Sequence, residues 1–150
     1  FYAAYFSIRA KAFDLRIMTG DLKTQMTEFN RIKALDRAAS PKDKDLMSAL
    51  EVSMEMYQRG YRFVNVDIQH SEARRFSIKD GALLPPFLAI DSLGETVADA
   101  IVAEREERPF TSLKDLQRRC KVSNTIIDLM KELKCCGELP EDEQMSLFGA

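Results

Sequence analysis

Apolar residues recur at every third or fourth position from Leu22 through Met26, Phe29 and Ile32 to Leu35, and again from Met47, beside Leu46, through Leu50 and Met54 to Tyr57. That is the period of one face of an α-helix, so this half of the chain predicts two amphipathic helices, with Met47 and Met54 as core filler. The second has a clear start, with Ser40 as N-cap, Pro41 at the first helical position and Asp43 in the first turn, and Gly60 marks its end. Thr19-Gly20-Asp21 is a break before the first. Upstream, Ser7 to Met18 is mixed, and Phe1 to Phe6 is apolar nearly all round, the pattern of a helix buried on every side. An element of that kind at the very start leads to the expectation that the sequence is a piece of a larger protein and carries no signal peptide.

From Tyr61 the period changes. Phe63-Val64-Asn65-Val66-Asp67-Ile68 alternates and is rich in β-branched residues, which predicts a strand. Phe76 to Lys79 and Ala82 to Leu84 flank Asp80-Gly81, a pair that favours a two-residue hairpin turn. The polar stretch from His70 to Arg75 connects the two, and His70 reads as a surface-loop residue. Beyond Pro85 come a short apolar turn (Phe87, Leu88, Ile90), the tight sequence Asp91-Ser92-Leu93-Gly94, and a helix carrying Val97, Ala98, Ile101 and Val102. Pro109 stops that helix, and Ser112 with Asp115 has capping-box spacing for another over Leu113 to Cys120. Ser123 opens a last helix, with Ile126, Ile127, Met130 and Leu133, which is expected to close near Gly137.

Helix, tight turn and helix in this order is the pattern of a helix-hairpin-helix motif. Gly94 is expected in a sharp, left-handed turn that leaves backbone N–H groups bare at the start of the next helix, where the helix dipole also favours a phosphate. The usual second glycine is replaced by Ser92, and Thr96 offers a hydroxyl for capping or phosphate. Leu113 to Cys120 and Asn124 to Lys134, joined by Lys121-Val122-Ser123, form a second such pair without a glycine. The same pattern also fits core helices joined by a glycine turn. The resulting class is mainly α with a small β-hairpin region (α+β): a helical part over 1–60, a strand and hairpin connector over 61–84, tandem helix-hairpin-helix motifs over 85–137, and a flexible tail over 138–150.

Composition narrows the chemistry. The 150 residues are 45% apolar, enough for a core, and the mean hydropathy of -0.27 with no long apolar run predicts no membrane-spanning helix. Cys120, Cys135 and Cys136 fit reduced thiols and a cytoplasmic location, and with His70 remote they lack zinc-ligand spacing. The net charge is -2, yet between Arg108 and Lys134 seven bases (Arg108, Lys114, Arg118, Arg119, Lys121, Lys131, Lys134) face three acids (Asp115, Asp128, Glu132). A local excess of four positive charges is the footprint that duplex binding requires, although basic residues on a helix are also commonly just solvated. The tail turns from acidic to apolar, and its Gln144-Met145-Ser146-Leu147-Phe148 suits insertion of Leu147 and Phe148 into a partner's pocket.

Taken in order, FYAAYFSIRA, LEVSMEMYQRGYRF, VDIQHSEARRFSI, DGALLPPFLAIDSLGETVADAIV and the terminal QMSLF resemble the C-terminal end of bacterial replicative DNA polymerase III alpha subunits of the PolC type. The likeness covers essentially the whole chain. It implies that 1–60 closes the fingers region of a DNA-directed DNA polymerase, that the hairpin motifs grip duplex primer-template, and that Gln144, Met145, Ser146, Leu147 and Phe148 dock on the sliding clamp (the beta subunit). On the hairpins, the implied DNA contacts are Ser92, Leu93, Gly94, Glu95 and Thr96, with Arg118, Arg119, Lys121 and Ser123 on the second. It further implies other replisome subunits as partners, a 3'-5' exonuclease in the parent, and palm carboxylates holding Mg2+ upstream of Phe1. The piece itself then carries no catalytic residue, metal or cofactor, and is expected to be inactive alone.

Two other classes fit parts of the pattern. A helix-hairpin-helix glycosylase would need a lysine beside the hairpin and an acid beyond it, where this chain has Glu95 and Asp115. A helical protein-binding module is the other.

Overall fold

A computed structural model describes residues 1–142. They form two compact units, one of Phe1–Asn65 and Arg75–Pro85, the other of Val66–Arg74 and the described residues from Pro86 on. The segment 61–84, expected as one connector, is shared between them.

The first unit holds α1 (Tyr2–Ile8), α2 (Leu15–Met18), α3 (Leu22–Leu35), α4 (Pro41–Gln58), β1 (Ser77–Lys79) and β2 (Ala82–Leu84). Asp14 and Asp21 cap α2 and α3, and α4 starts on a full capping box between Ser40 and Asp43, followed after its end by Gly60 at φ 90. α3 packs on α4, but both buried stripes are rotated from the expected ones. In α3 Gln25 and Ile32 are buried while Met26 and Leu35 are exposed; in α4 the buried residues are Ala49, Leu50, Ser53 and Met56. The reason is a polar bridge that hydropathy cannot show. The Gln25 amide donates to the Met18 carbonyl at 3.2 Å and accepts from the Ser53 hydroxyl at 2.6 Å, which lets two polar side chains sit in the core. Tyr57 adds to it, donating to the Met18 carbonyl at 2.7 Å.

α1 departs from the all-round burial expected of it. Phe6 enters a cluster with Phe13, Phe63 and Phe76, its ring centroid 4.9 Å from that of Phe63, whereas Phe1 is 90% and Ile8 87% exposed. The hairpin forms as its Asp80-Gly81 pair predicts, with both residues at positive φ and Ile78 paired with Leu83. The strand expected over Phe63 to Ile68 does not form. Its one ladder contact is an isolated bridge from Phe63 to Leu83, and from Val66 the chain belongs to the other unit, where Ile68 N–H reaches the Cys135 carbonyl at 3.3 Å. Phe63, Val66 and Ile68 are buried as separate anchors rather than as one face of a sheet.

The second unit contains a 3-10 turn at Phe87–Ala89, then α5 (Glu95–Glu107), α6 (Leu113–Cys120) and α7 (Asn124–Glu132). α7 ends before the expected Gly137, since Lys134 already takes a left-handed φ of 58. The 66–74 segment is held to this unit by backbone: Phe87 N–H donates to the Glu72 carbonyl at 2.9 Å and Leu88 N–H to that of Ala73 at 3.1 Å. Arg105 donates to the carbonyls of Ile68 (3.1 Å) and Ser71 (2.9 Å). The class is the expected one, mainly α with a single small antiparallel hairpin among the described residues.

Candidate nucleic-acid interface

In the first hairpin the left-handed residue is Ser92, with φ 66, and not Gly94, whose φ of -79 and ψ of 165 are open to any residue. Ser92 therefore occupies the conformation for which the usual motif supplies its other glycine. Leu93 is buried and plugs the hairpin onto the core, so only its backbone can face a ligand. Gly94 is the N-cap of α5, and no side chain caps that helix. Thr96, exposed in the first turn, does not cap it either. A Cβ placed on Gly94 would meet nothing within 4 Å. Neither the backbone angles nor the packing of this chain asks for glycine there; the exposed first-turn N–H groups are what its missing side chain uncovers.

The second hairpin repeats the first position by position. Lys121 is left-handed (φ 56, ψ 44) as Ser92 is, Val122 is buried as Leu93 is, and Ser123 is an extended N-cap as Gly94 is. Here the Ser123 hydroxyl accepts the Ile126 N–H at 3.2 Å, and Gln117 donates to Asn124 at 2.6 Å, tying α6 to the start of α7.

The charges divide unevenly between the hairpins. At the first, Asp91, Glu95 and Asp99 are exposed, and Arg74 lies 2.6 Å from Asp99 and 3.5 Å from Glu95. The hydrogen bond from Arg74, followed by its charge, holds the Asp99 carboxyl below its usual range. Arg74 is the charged neighbour of α5 that sequence reading missed, because a partner 25 residues away leaves no local pattern. At the second hairpin Lys121 projects into solvent, and Arg118 is 67% exposed with one face on Asp115 at 3.0 Å.

Arg119, expected on DNA, is instead internal. Its side chain is only 8% exposed; it donates to Glu104 (3.2 Å), to Asp115 (3.1 Å) and to the Arg108 carbonyl (3.0 Å), and it stacks over Phe110 with 4.6 Å to the ring centroid. Asp115 is buried among Arg108, Arg118 and Arg119 and accepts the Thr111 N–H at 3.1 Å, one residue before the position a capping box would use. An acid so enclosed is not placed to act on a flipped base, and Glu95 stands where a glycosylase needs its lysine.

His70 lies 2.8 Å from Asp67 at the edge of its turn, an exposed surface pair. Burial, foremost, pushes the Cys120 thiol up to about 11, away from reactivity. Among the described residues no cluster of His, Cys, Asp and Glu could hold a metal ion, and no helix is long and apolar enough to cross a membrane. The clamp peptide expected at Gln144, Met145, Ser146, Leu147 and Phe148 lies outside the described residues.

Two hairpins with one backbone plan define the class. Residues 60–144 match the family model of the helix-hairpin-helix motif, and the chain belongs to that family. Over 99% of its length it is similar to proteins named DNA polymerase III PolC-type: 42% identical to that of Caldanaerobacter subterraneus subsp. tengcongensis, 43% to that of Streptococcus pyogenes and 44% to that of Streptococcus suis. It spans only about a tenth of the length of these relatives (10–11%).

Proposed function

We propose that this chain is the duplex-holding part of a replicative DNA polymerase of the PolC type, and that it binds DNA through backbone N–H groups and lysines without reading sequence. The observation that carries the reading is Gly94, a glycine that the chain's own geometry does not need, at the bare start of a helix in a hairpin that occurs twice. Phosphates are the natural ligands of such amides, and contacts to phosphate carry no base information. In this reading 1–60 ends the fingers region and 144–148 docks on the sliding clamp. Catalysis, its Mg2+ and the parent's exonuclease belong to residues outside this chain, in a cytoplasmic replisome with further subunits.

A salt titration on two unrelated duplexes, with the wild-type chain and Gly94→Val, tests it. We expect equal affinities for the two duplexes, a steep fall with added salt, and a several-fold weaker variant whose stability drops by no more than about 1 kcal/mol. Affinity that ignores salt, or an undiminished Gly94→Val, would overturn it, and salt-independent retention of a protein ligand would favour the protein-binding module.

A further inference from the structure

The acidic lead of the tail is not loose. Within 138–142, the Pro140 carbonyl accepts the Leu113 N–H at 2.8 Å and the Glu141 carbonyl accepts the Lys114 N–H at 3.1 Å, so the segment closes the N-terminus of α6. Its side chains then meet the two lysines beside it: Asp142 lies 3.1 Å from the Lys114 ammonium, and Glu141 contacts that of Lys131 on α7. The Glu141 hydrogen bond, first among its surroundings, favours the charged form of Lys131. Two of the bases that give this half of the chain its positive excess are thus covered by acids from the chain itself.

We propose that segment 138–142 is an intramolecular competitor of DNA phosphate: it holds Lys114 and Lys131 through Asp142 and Glu141, and a duplex reaches these lysines by displacing it. The inference rests on the duplex reading above. Its physical basis is that both pairs are half-exposed, with side-chain exposures of 67% and 36% for Lys114 and Asp142 and 44% and 48% for Lys131 and Glu141. Pairs so open to water are weak, while a phosphodiester offers the same negative charge and releases counterions when a lysine replaces them. A strap held this way is firm enough to mask the lysines from scattered anions and weak enough to yield to a polyanion.

The test compares the wild-type chain with Glu141→Gln/Asp142→Asn and, as a control of equal charge change, Glu106→Gln/Glu107→Gln on exposed positions of α5. Side-chain amides keep the shapes and the backbone bonds of the strap, and melting curves verify that all three chains are folded. Affinity for a mixed-sequence duplex is measured from about 50 to 200 mM salt. The strap variant is expected to bind roughly three- to tenfold more tightly at the low end, an advantage that shrinks as added salt weakens the wild type's own ion pairs. The control should shift affinity less than about twofold. A wild type that binds DNA with a strap variant of unchanged affinity, or a control that matches it, overturns this proposal and leaves the duplex reading standing. If no chain binds in a salt-dependent way, the duplex reading fails and the competitor with it.

Discussion

Asp115 shows how a single carboxylate can organise a helix start. Burial would raise its pKa, but the Thr111 N–H and Arg119 bonds outweigh it, and the carboxyl lies below the ordinary 3.8. A folded-state value below the unfolded one means that the ionised group stabilises the fold above the ordinary carboxylate range, and that this contribution is lost as pH falls through the folded value. Asp115→Asn should therefore be less stable than wild type by about 1–3 kcal/mol near neutrality, because Arg119 loses its charged partner. Urea melts from pH 7 to pH 2 should show that gap closing below about pH 4; a gap independent of pH would assign the loss to packing. Half of this arrangement was legible in the sequence. Ser112 and Asp115 announce a capped helix, but Arg119 reads as a solvent base until Glu104, fifteen residues back, and the Arg108 carbonyl are seen to enclose it.

The elements that sequence placed well are those whose signals are local. Ser40-Pro41-Lys42-Asp43 and Asp80-Gly81 act within four residues, and both behave as written. The face of α3 was misread because Gln25 looks like a surface residue, and only a serine 28 positions later lets it turn inward. The first hairpin was found and its glycine misassigned: glycine marks both left-handed positions and N-caps, and composition does not distinguish them. Ser92 and Lys121 bear the left-handed angles without glycine, at a cost of about 1–2 kcal/mol each before local compensation. Ser92→Gly is accordingly expected to raise stability by up to about 1 kcal/mol, read from chemical denaturation. A loss of stability would show that the Ser92 hydroxyl supports the turn.

For the molecule as a whole, the segment that leads into the expected clamp peptide belongs to a tail expected to be flexible, yet it is docked as far as Asp142. Burying Leu147 and Phe148 would contribute about 1.5–3 kcal/mol each, enough for a contact near the micromolar range once ordering costs are subtracted. Leu147→Ala/Phe148→Ala is therefore expected to abolish binding to a bacterial sliding clamp in calorimetry while duplex affinity stays unchanged; undiminished binding would remove the docking assignment. The division into units was not legible, because alternation between Phe63 and Ile68 reads as one strand when the chain is in fact passing from one core to another.

That passage has a consequence for any attempt to take the protein apart. The chain crosses between its units three times, after Asn65, after Arg74 and after Pro85. A protease that nicks any one crossing yields two fragments, at least one of which still carries segments of both units, and a piece beginning at Pro86 would lack Glu72 and Ala73, the acceptors of the Phe87 and Leu88 N–H groups. Residues 86–142 are thus the larger part of a spatial unit without being severable from it.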